Sequence, residues 1–181
     1  MFDEIQCGLG RTGTLFAFQQ TGIVPDIVTL AKPLGGGLPL GAVITGDAIE
    51  GVVKPGHHGT TFGGNPVACR LGLAVLEEMK ASALLPRVNT YGKWFEAQLE
   101  SLKAKSPTIV EIRGKGFMWG IELDRKASPV ARELLEKGFV VGTARDNVIR
   151  LLPPYITPKK AFVEFLNALA GVLEIHQEKA A

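Results

Sequence analysis

Two cysteines, Cys7 and Cys69, are all that the 181 residues contain, and they fall in neither a CxxC nor any other metal-ligand spacing. Such sparse use excludes a disulfide framework and fits a reducing compartment, so both are expected to be free thiols. Charge of one sign is equally scarce: 20 Lys and Arg stand against 18 Asp and Glu, without basic blocks. That leaves no electrostatic footprint for nucleic acid. No apolar run approaches the roughly 18 residues needed to span a bilayer. Met1-Phe2-Asp3-Glu4 opens without the basic and apolar stretches of a signal peptide. The expectation is a cytoplasmic protein with neither a membrane nor a nucleic-acid partner. Metal is not expected either, because His57 and His58 are adjacent, adjacent histidines usually point apart, and no carboxylate cluster accompanies them. A Gly-x-Ser-x-Gly elbow and a Walker lysine are both missing, which removes the hydrolase and P-loop readings.

What is present is an ordinary globular composition, 46% hydrophobic and 21% charged, with 22 glycines gathered mainly in the first 65 residues. Glycine supplies positive φ and close backbone approach, so clusters such as Gly8/Gly10/Gly13, Gly35-Gly36-Gly37 and Gly63-Gly64 predict shaped loops around a site. The short apolar runs 27–31 and 41–45 read as buried strands, and 48–53 as a short helical turn. Asn65-Pro66 opens a helix to about Met79, with proline where the first turn tolerates it. A second helix follows Pro86, with Val88, Tyr91, Phe95, Leu99 and Leu102 on one face. Beyond Pro107 the pattern alternates. Strands are expected at 109–113 and 118–123, joined across Gly114 and Gly116, then a helix from Pro129 stopped by Gly138. Strands at 139–141 and 148–152 follow, and then a helix striped by Phe162, Phe165, Leu166, Leu169 and Leu173. The class is α/β, with a boundary expected near residues 80–86. Asp3 comes so early that the sequence reads as starting inside a larger fold.

Gly8-Leu9-Gly10-Arg11-Thr12-Gly13 matches G-x-G-x-x-G, with Asp26 near the distance of a ribose-binding acid. A dinucleotide unit needs a buried apolar strand before those glycines, whereas Asp3-Glu4-Ile5-Gln6-Cys7 is polar and acidic. A different constellation carries more: Asp3-Glu4-Ile5-Gln6 with the glycine turn, Leu30-Ala31-Lys32-Pro33-Leu34-Gly35-Gly36-Gly37, and His58-Gly59-Thr60-Thr61-Phe62-Gly63-Gly64-Asn65-Pro66. Asp3 and Lys32 are 29 residues apart, and so are Lys32 and Thr61. In order and spacing these segments resemble the class III (subgroup II) aminotransferases of pyridoxal-phosphate fold type I, most closely the acetylornithine and ornithine enzymes. The resemblance continues through Glu111-Ile112-Arg113-Gly114-Lys115-Gly116 and Val148-Ile149-Arg150-Leu151-Leu152-Pro153-Pro154, over essentially the whole chain.

The resemblance implies pyridoxal 5'-phosphate as cofactor, with Lys32 and Asp3 catalytic. Lys32 would attach the cofactor covalently and then shuttle a proton as general acid/base. Asp3 would face the ring nitrogen and keep it protonated. Gln6 is similar in position to the family glutamine that bonds the phenolic oxygen, and Thr61 to the threonine that reaches the phosphate of the neighbouring subunit, which implies a homodimer with shared sites. Arg150 is like the family arginine near the substrate carboxylate. On the residues alone, Asp3 also reads as a solvated acid, Lys32 as a surface lysine at a strand end, Thr61 as a turn residue and Arg150 as a surface-paired arginine. Arg11 and Arg113 are taken as structural.

By the same resemblance, residues 1–82 are the end of the cofactor-binding large domain and 83–181 the small C-terminal α/β domain. The implied reaction passes an amino group from N-acetylornithine to 2-oxoglutarate in arginine biosynthesis. Ornithine, succinylornithine, 4-aminobutyrate and lysine-pathway donors stay open. The family subunit is about twice this length, so the chain is expected to be inactive alone, as a truncation or one part of a split enzyme; a non-catalytic interaction module is the other alternative.

Overall fold

The computed structural model describes residues 1–178. They form two compact units, one of residues 1–86 and one beginning at Arg87, each with its own core.

The first unit holds a three-stranded sheet in the order β1 (Phe2–Asp3), β2 (Ile27–Leu30), β3 (Ala42–Thr45). β1 runs parallel to β2, and β3 antiparallel to it. Along β2, Val28 and Leu30 are buried while Ile27 and Thr29 are half-buried, the alternation of a pleated strand. Leu9, Leu34 and Met79 complete the buried cluster around them. Helix α1 (Pro66–Ala81) begins as the sequence suggests. Asn65 caps it, its Oδ1 accepting from Val67 N at 3.0 Å and Ala68 N at 3.3 Å, and Pro66 takes a position where no N–H is needed. Val43, Val53, Phe62 and Leu73 of this unit stand in solvent. The helical turn expected at 48–53 is shorter and earlier, a 3-10 turn at Asp47–Ile49.

In the second unit, β4 (Ile109–Lys115), β5 (Met118–Leu123), β6 (Gly142–Ala144) and β7 (Val148–Leu151) form an antiparallel sheet ordered β4-β5-β7-β6. Helices α2 (Leu84–Lys103), α3 (Ala127–Glu136) and α4 (Lys159–Glu178) bury Phe95, Leu134 and Leu169 in one cluster with Phe117, Ile121 and Ile149. Aromatic rings dominate it, with Phe95 and Phe162 centroids 5.0 Å apart and Phe117 and Phe162 5.2 Å apart.

Boundaries that differ from the sequence expectation include three in the second unit. α2 starts at Leu84, ahead of Pro86, because a proline in the first helical turn gives up no intrahelical bond. Gly114 lies inside β4, and the hairpin turns at Gly116 and Phe117 alone. Residues 139–141 are not a strand. Gly138 ends α3 in a left-handed conformation, its N–H donating to Leu135 O, and Phe139 N donates to Leu134 O at 2.9 Å. That pair of bonds is a Schellman cap, which consumes the N–H a ladder would need, so the strand begins at Gly142, paired with Arg150.

Gly92 of α2 meets the β4–β5 turn backbone to backbone: a Cβ there would lie 2.7 Å from Gly116 Cα and 2.9 Å from Gly116 O. Neither side can yield, so Gly92→Ala is expected to cost about 1–3 kcal/mol. The check is thermal unfolding, where a domain of this size loses roughly 4–8 °C per kcal/mol; an unchanged midpoint would contradict the contact.

Candidate functional site

Parallel pairing of β1 and β2, with Phe2 opposite Val28 and Asp3 opposite Thr29, points both chain directions the same way. Their carboxyl ends therefore share one edge of the sheet, the edge at which α/β folds bind ligands. Asp3 closes β1 there, and Lys32 follows Leu30, the last residue of β2, by two positions. The topology thus brings both residues to the same edge of the sheet.

Asp3 makes an Asx turn, its Oδ1 accepting from Ile5 N at 2.9 Å, while among the described residues Oδ2 has no partner. Gln6 is half-buried in the turn that follows. The glycine run after it opens no helix. Gly8 N bonds back to Glu4 O at 2.9 Å and Gly13 N to Gly10 O at 3.0 Å, and the next element is the four-residue 3-10 turn Ala17–Gln20. A dinucleotide-binding unit, which needs a helix N-terminus at that point, is therefore excluded.

Lys32 has a left-handed backbone, φ 46°, one of three non-glycine residues with positive φ among the described residues. An L-residue in that region carries roughly 1–2 kcal/mol of strain. Such strain persists only where the surroundings over-determine it, and it concentrates at functional positions. Here the surroundings are the 3-10 turn Lys32–Gly35, closed by Leu34 N to Ala31 O and Gly36 N to Pro33 O, both 3.1 Å. Buried Leu34 and the close approach of α1 hold it from behind: a Cβ on Gly72 would lie 3.2 Å from Leu34 O. The Lys32 amine and the Asp3 carboxylate are exposed, so this chain by itself leaves the edge open to solvent.

Thr61 is exposed within residues 50–65, a stretch without strand or helix ahead of α1. Asn65 satisfies the α1 terminus with its own carboxamide, so the phosphate cradle read from the sequence at that terminus already has an internal partner. Arg150 belongs to the second unit. It is the exposed residue of β7 between buried Ile149 and Leu151, as the alternation requires. It sits at a cavity of about 420 Å³ lined otherwise mainly by apolar groups, among them Phe139, Pro153, Phe162 and Phe165. Arg113 is occupied by Glu111 and by Glu122, the latter at 2.6 Å, which suits its structural reading. Glu122 and its hydrogen-bonded partner Arg113 shift each other, the acid downward and the guanidinium upward.

Sequence reasoning gives Glu4 no separate role, yet it is 4% exposed. Its carboxylate accepts from Ala17 N at 2.9 Å and Phe18 N at 2.8 Å. Cys7 Sγ lies 3.6 Å from the same carboxylate, and both cysteines are free thiols. Burial, then the negative charge and hydrogen bond of Glu4, push the Cys7 thiol up to about 11. Among the described residues, no helix is long and apolar enough to cross a membrane.

Residues 1–173 match the family Aminotransferase class-III. An acetylornithine aminotransferase of Caldanaerobacter subterraneus is 46% identical over 174 residues, covering 96% of this chain and 44% of that protein. Another from Methanocaldococcus jannaschii is 46% identical over 172 residues, 95% of this chain and 43% of that protein. Among solved structures, an ornithine delta-aminotransferase of Plasmodium falciparum superposes with a TM-score of 0.92 at 30% identity, over 98% of this chain and 47% of that one. An acetylornithine aminotransferase of Elizabethkingia anophelis gives 0.88 at 33% identity, over 94% of this chain and 44% of that one. The chain thus spans somewhat under half the length of the curated relatives it matches. Its α/β architecture is that of the pyridoxal-phosphate-dependent transferases of fold type I. With nearly its whole length matched, the chain belongs to the class-III aminotransferases.

Proposed function

We propose that the chain supplies the lysine-bearing part of a pyridoxal-phosphate-dependent enzyme that passes an amino group from N-acetylornithine to 2-oxoglutarate in arginine biosynthesis. The observation that carries this is the pairing of β1 with β2, which ends at Asp3 on one strand and at a strained, left-handed Lys32 beyond the other. The residues fit the cofactor: an amine on a rigid turn for its aldehyde, and a carboxylate with one oxygen uncommitted for its ring nitrogen. When bound, pyridoxal phosphate draws electrons from the substrate carbon that bears the amine.

The chain's own residues prepare that carbon. Asp3 Oδ2 holds a proton on the ring nitrogen, which a carboxylate partner favours. Gln6 donates to the phenolic oxygen. Lys32 Nζ takes and returns the proton at the substrate carbon. Thr61 donates its hydroxyl to the phosphate in the neighbouring subunit of a homodimer, and the Arg150 guanidinium binds a substrate carboxylate in its planar fork. In this reading residues 1–82 serve the cofactor and residues 83–181 the substrate side, in a cytoplasmic enzyme. The donor choice is supported by the names of the curated relatives at 44–47% identity. Ornithine is the second reading, favoured by the 0.92 superposition on the Plasmodium ornithine enzyme.

Because the chain spans about 44% of its relatives, the test uses it both alone and co-expressed with the part of the Caldanaerobacter relative outside the match. Pyridoxal phosphate is added, reduced with borohydride, and the fixed group located by mass spectrometry. The label is expected on Lys32 in the co-expressed preparation and missing from Lys32→Ala; label elsewhere, or undiminished in that variant, contradicts the proposal. Lys32→Gly should also lose the label, while its unfolding free energy holds or rises by up to about 1 kcal/mol as the left-handed strain is relieved. For the substrate, turnover of N-acetylornithine with 2-oxoglutarate should exceed that of ornithine; the reverse order selects the second reading.

A further inference from the structure

We propose that Glu4 is a positioning residue that fixes Asp3 and Gln6 in their cofactor-facing places by clamping the chain at 17–18 onto the end of β1. This rests on the cofactor reading above and adds to it a residue that touches neither cofactor nor substrate.

Glu4 stands between Asp3 and Gln6 in the chain. It separates the two residues assigned to the cofactor ring, and any rotation of its backbone moves both. Four kinds of bond prevent that rotation. Its N–H continues the β1–β2 ladder to Thr29 O at 3.0 Å, and its carbonyl accepts from Gly8 N at 2.9 Å. Its two carboxylate oxygens accept separately, Oε2 from Ala17 N at 2.9 Å and Oε1 from Phe18 N at 2.8 Å. The Cys7 thiol then bridges the turn, reaching Asp3 O at 3.4 Å and Glu4 Oε2 at 3.6 Å. The packing leaves no slack, since a Cβ on Gly8 would lie 2.7 Å from Glu4 O.

Ala17 and Phe18 begin the 3-10 turn Ala17–Gln20, so their N–H groups have no partner within it and the buried carboxylate fills both vacancies. Phe18 is further held by stacking against Phe16, 5.5 Å between centroids, and Phe2, 6.3 Å. The loop from Gln6 to Phe16 is thus tied at both ends to the strand that ends in Asp3. Such a tie matters because displacement of a reacting group by about 1 Å can cost on the order of a hundredfold in rate.

The variant Glu4→Gln keeps the size but presents an amide N–H₂ to one of two backbone donors, leaving it unsatisfied. In the co-expressed preparation, three quantities are measured for wild type, Glu4→Gln, Glu4→Asp, Asp3→Asn and the Glu4→Gln/Asp3→Asn double variant. They are the dissociation constant for pyridoxal phosphate, the pH midpoint of the bound cofactor's absorbance change, and the rate of Cys7 alkylation by iodoacetamide. Glu4→Gln is expected to weaken cofactor binding roughly tenfold, in line with an orphaned buried donor, and to move the pH midpoint in the same direction as Asp3→Asn does. Cys7 should alkylate faster once the neighbouring negative charge is gone. Glu4→Asp, which keeps the charge on a shorter arm, should recover part of the affinity. Because Glu4 acts through Asp3, the double variant should be little worse than Asp3→Asn alone.

Affinity and pH midpoint unchanged in Glu4→Gln, with only faster alkylation or a lower unfolding temperature, would show a purely structural clamp and overturn the proposal. Fully additive losses in the double variant would overturn it as well. Failure of the cofactor reading itself appears separately, as a wild-type preparation that takes up no borohydride-fixed label on Lys32, and the proposal then falls with it.

Discussion

Everything at the candidate site depends on a very short stretch of parallel pairing. β1 contributes only Phe2 and Asp3, yet their register with Val28 and Thr29 decides that Asp3 and the turn beginning at Lys32 end on the same edge of the sheet. A slip of one residue would send the Asp3 side chain to the opposite face, because the side-chain period of a strand is two. The pairing is reinforced from its far side, where Glu4 N extends the ladder to Thr29 O and the Glu4 carboxylate gathers Ala17 and Phe18 against the strand end. Two acids in sequence thus divide the work. One faces solvent with an uncommitted oxygen, and the other is buried and holds the first in place.

The lysine turn shows the same division between strain and support. A left-handed lysine is unfavourable by itself, and the structure maintains it by enclosing the residues on either side. Leu34 is buried, the 3-10 turn satisfies its own backbone, and the bare face of Gly72 lets α1 approach the turn closely. The second unit is organised around its core. Its four-stranded antiparallel sheet and three helices share a dense aromatic core around Phe95, Phe117 and Phe162, while Arg150 is left on the outer face of β7 beside an apolar cavity.

Much of this was legible in the sequence, for local reasons. Asn65-Pro66 announces the start of α1 because the cap and the proline act within a few residues of themselves. Ile149, Arg150 and Leu151 alternate as any half-buried strand does. The spacing of Asp3 and Lys32 was informative only as part of a wider pattern, since an acid near a terminus and a lysine after an apolar run are each unremarkable. Phe139–Val141 misled because an apolar triplet reads alike as a strand and as the tail of a helix cap; which one it is depends on where the Phe139 N–H goes. Glu4 was illegible for a different reason. In Asp3-Glu4-Ile5-Gln6 it looks solvated, and only the return of the chain 13 and 14 residues later buries its carboxylate.

The central claim is geometric: the Asp3 carboxylate and the Lys32 amine address opposite ends of one aromatic ring. Its most direct test is an X-ray structure of the borohydride-fixed cofactor complex. Continuous density is expected from Lys32 Nζ to the cofactor, with the ring nitrogen within hydrogen-bonding distance of Asp3. Density that leaves Lys32 but carries the ring nitrogen away from Asp3, or that begins at another lysine, would contradict it.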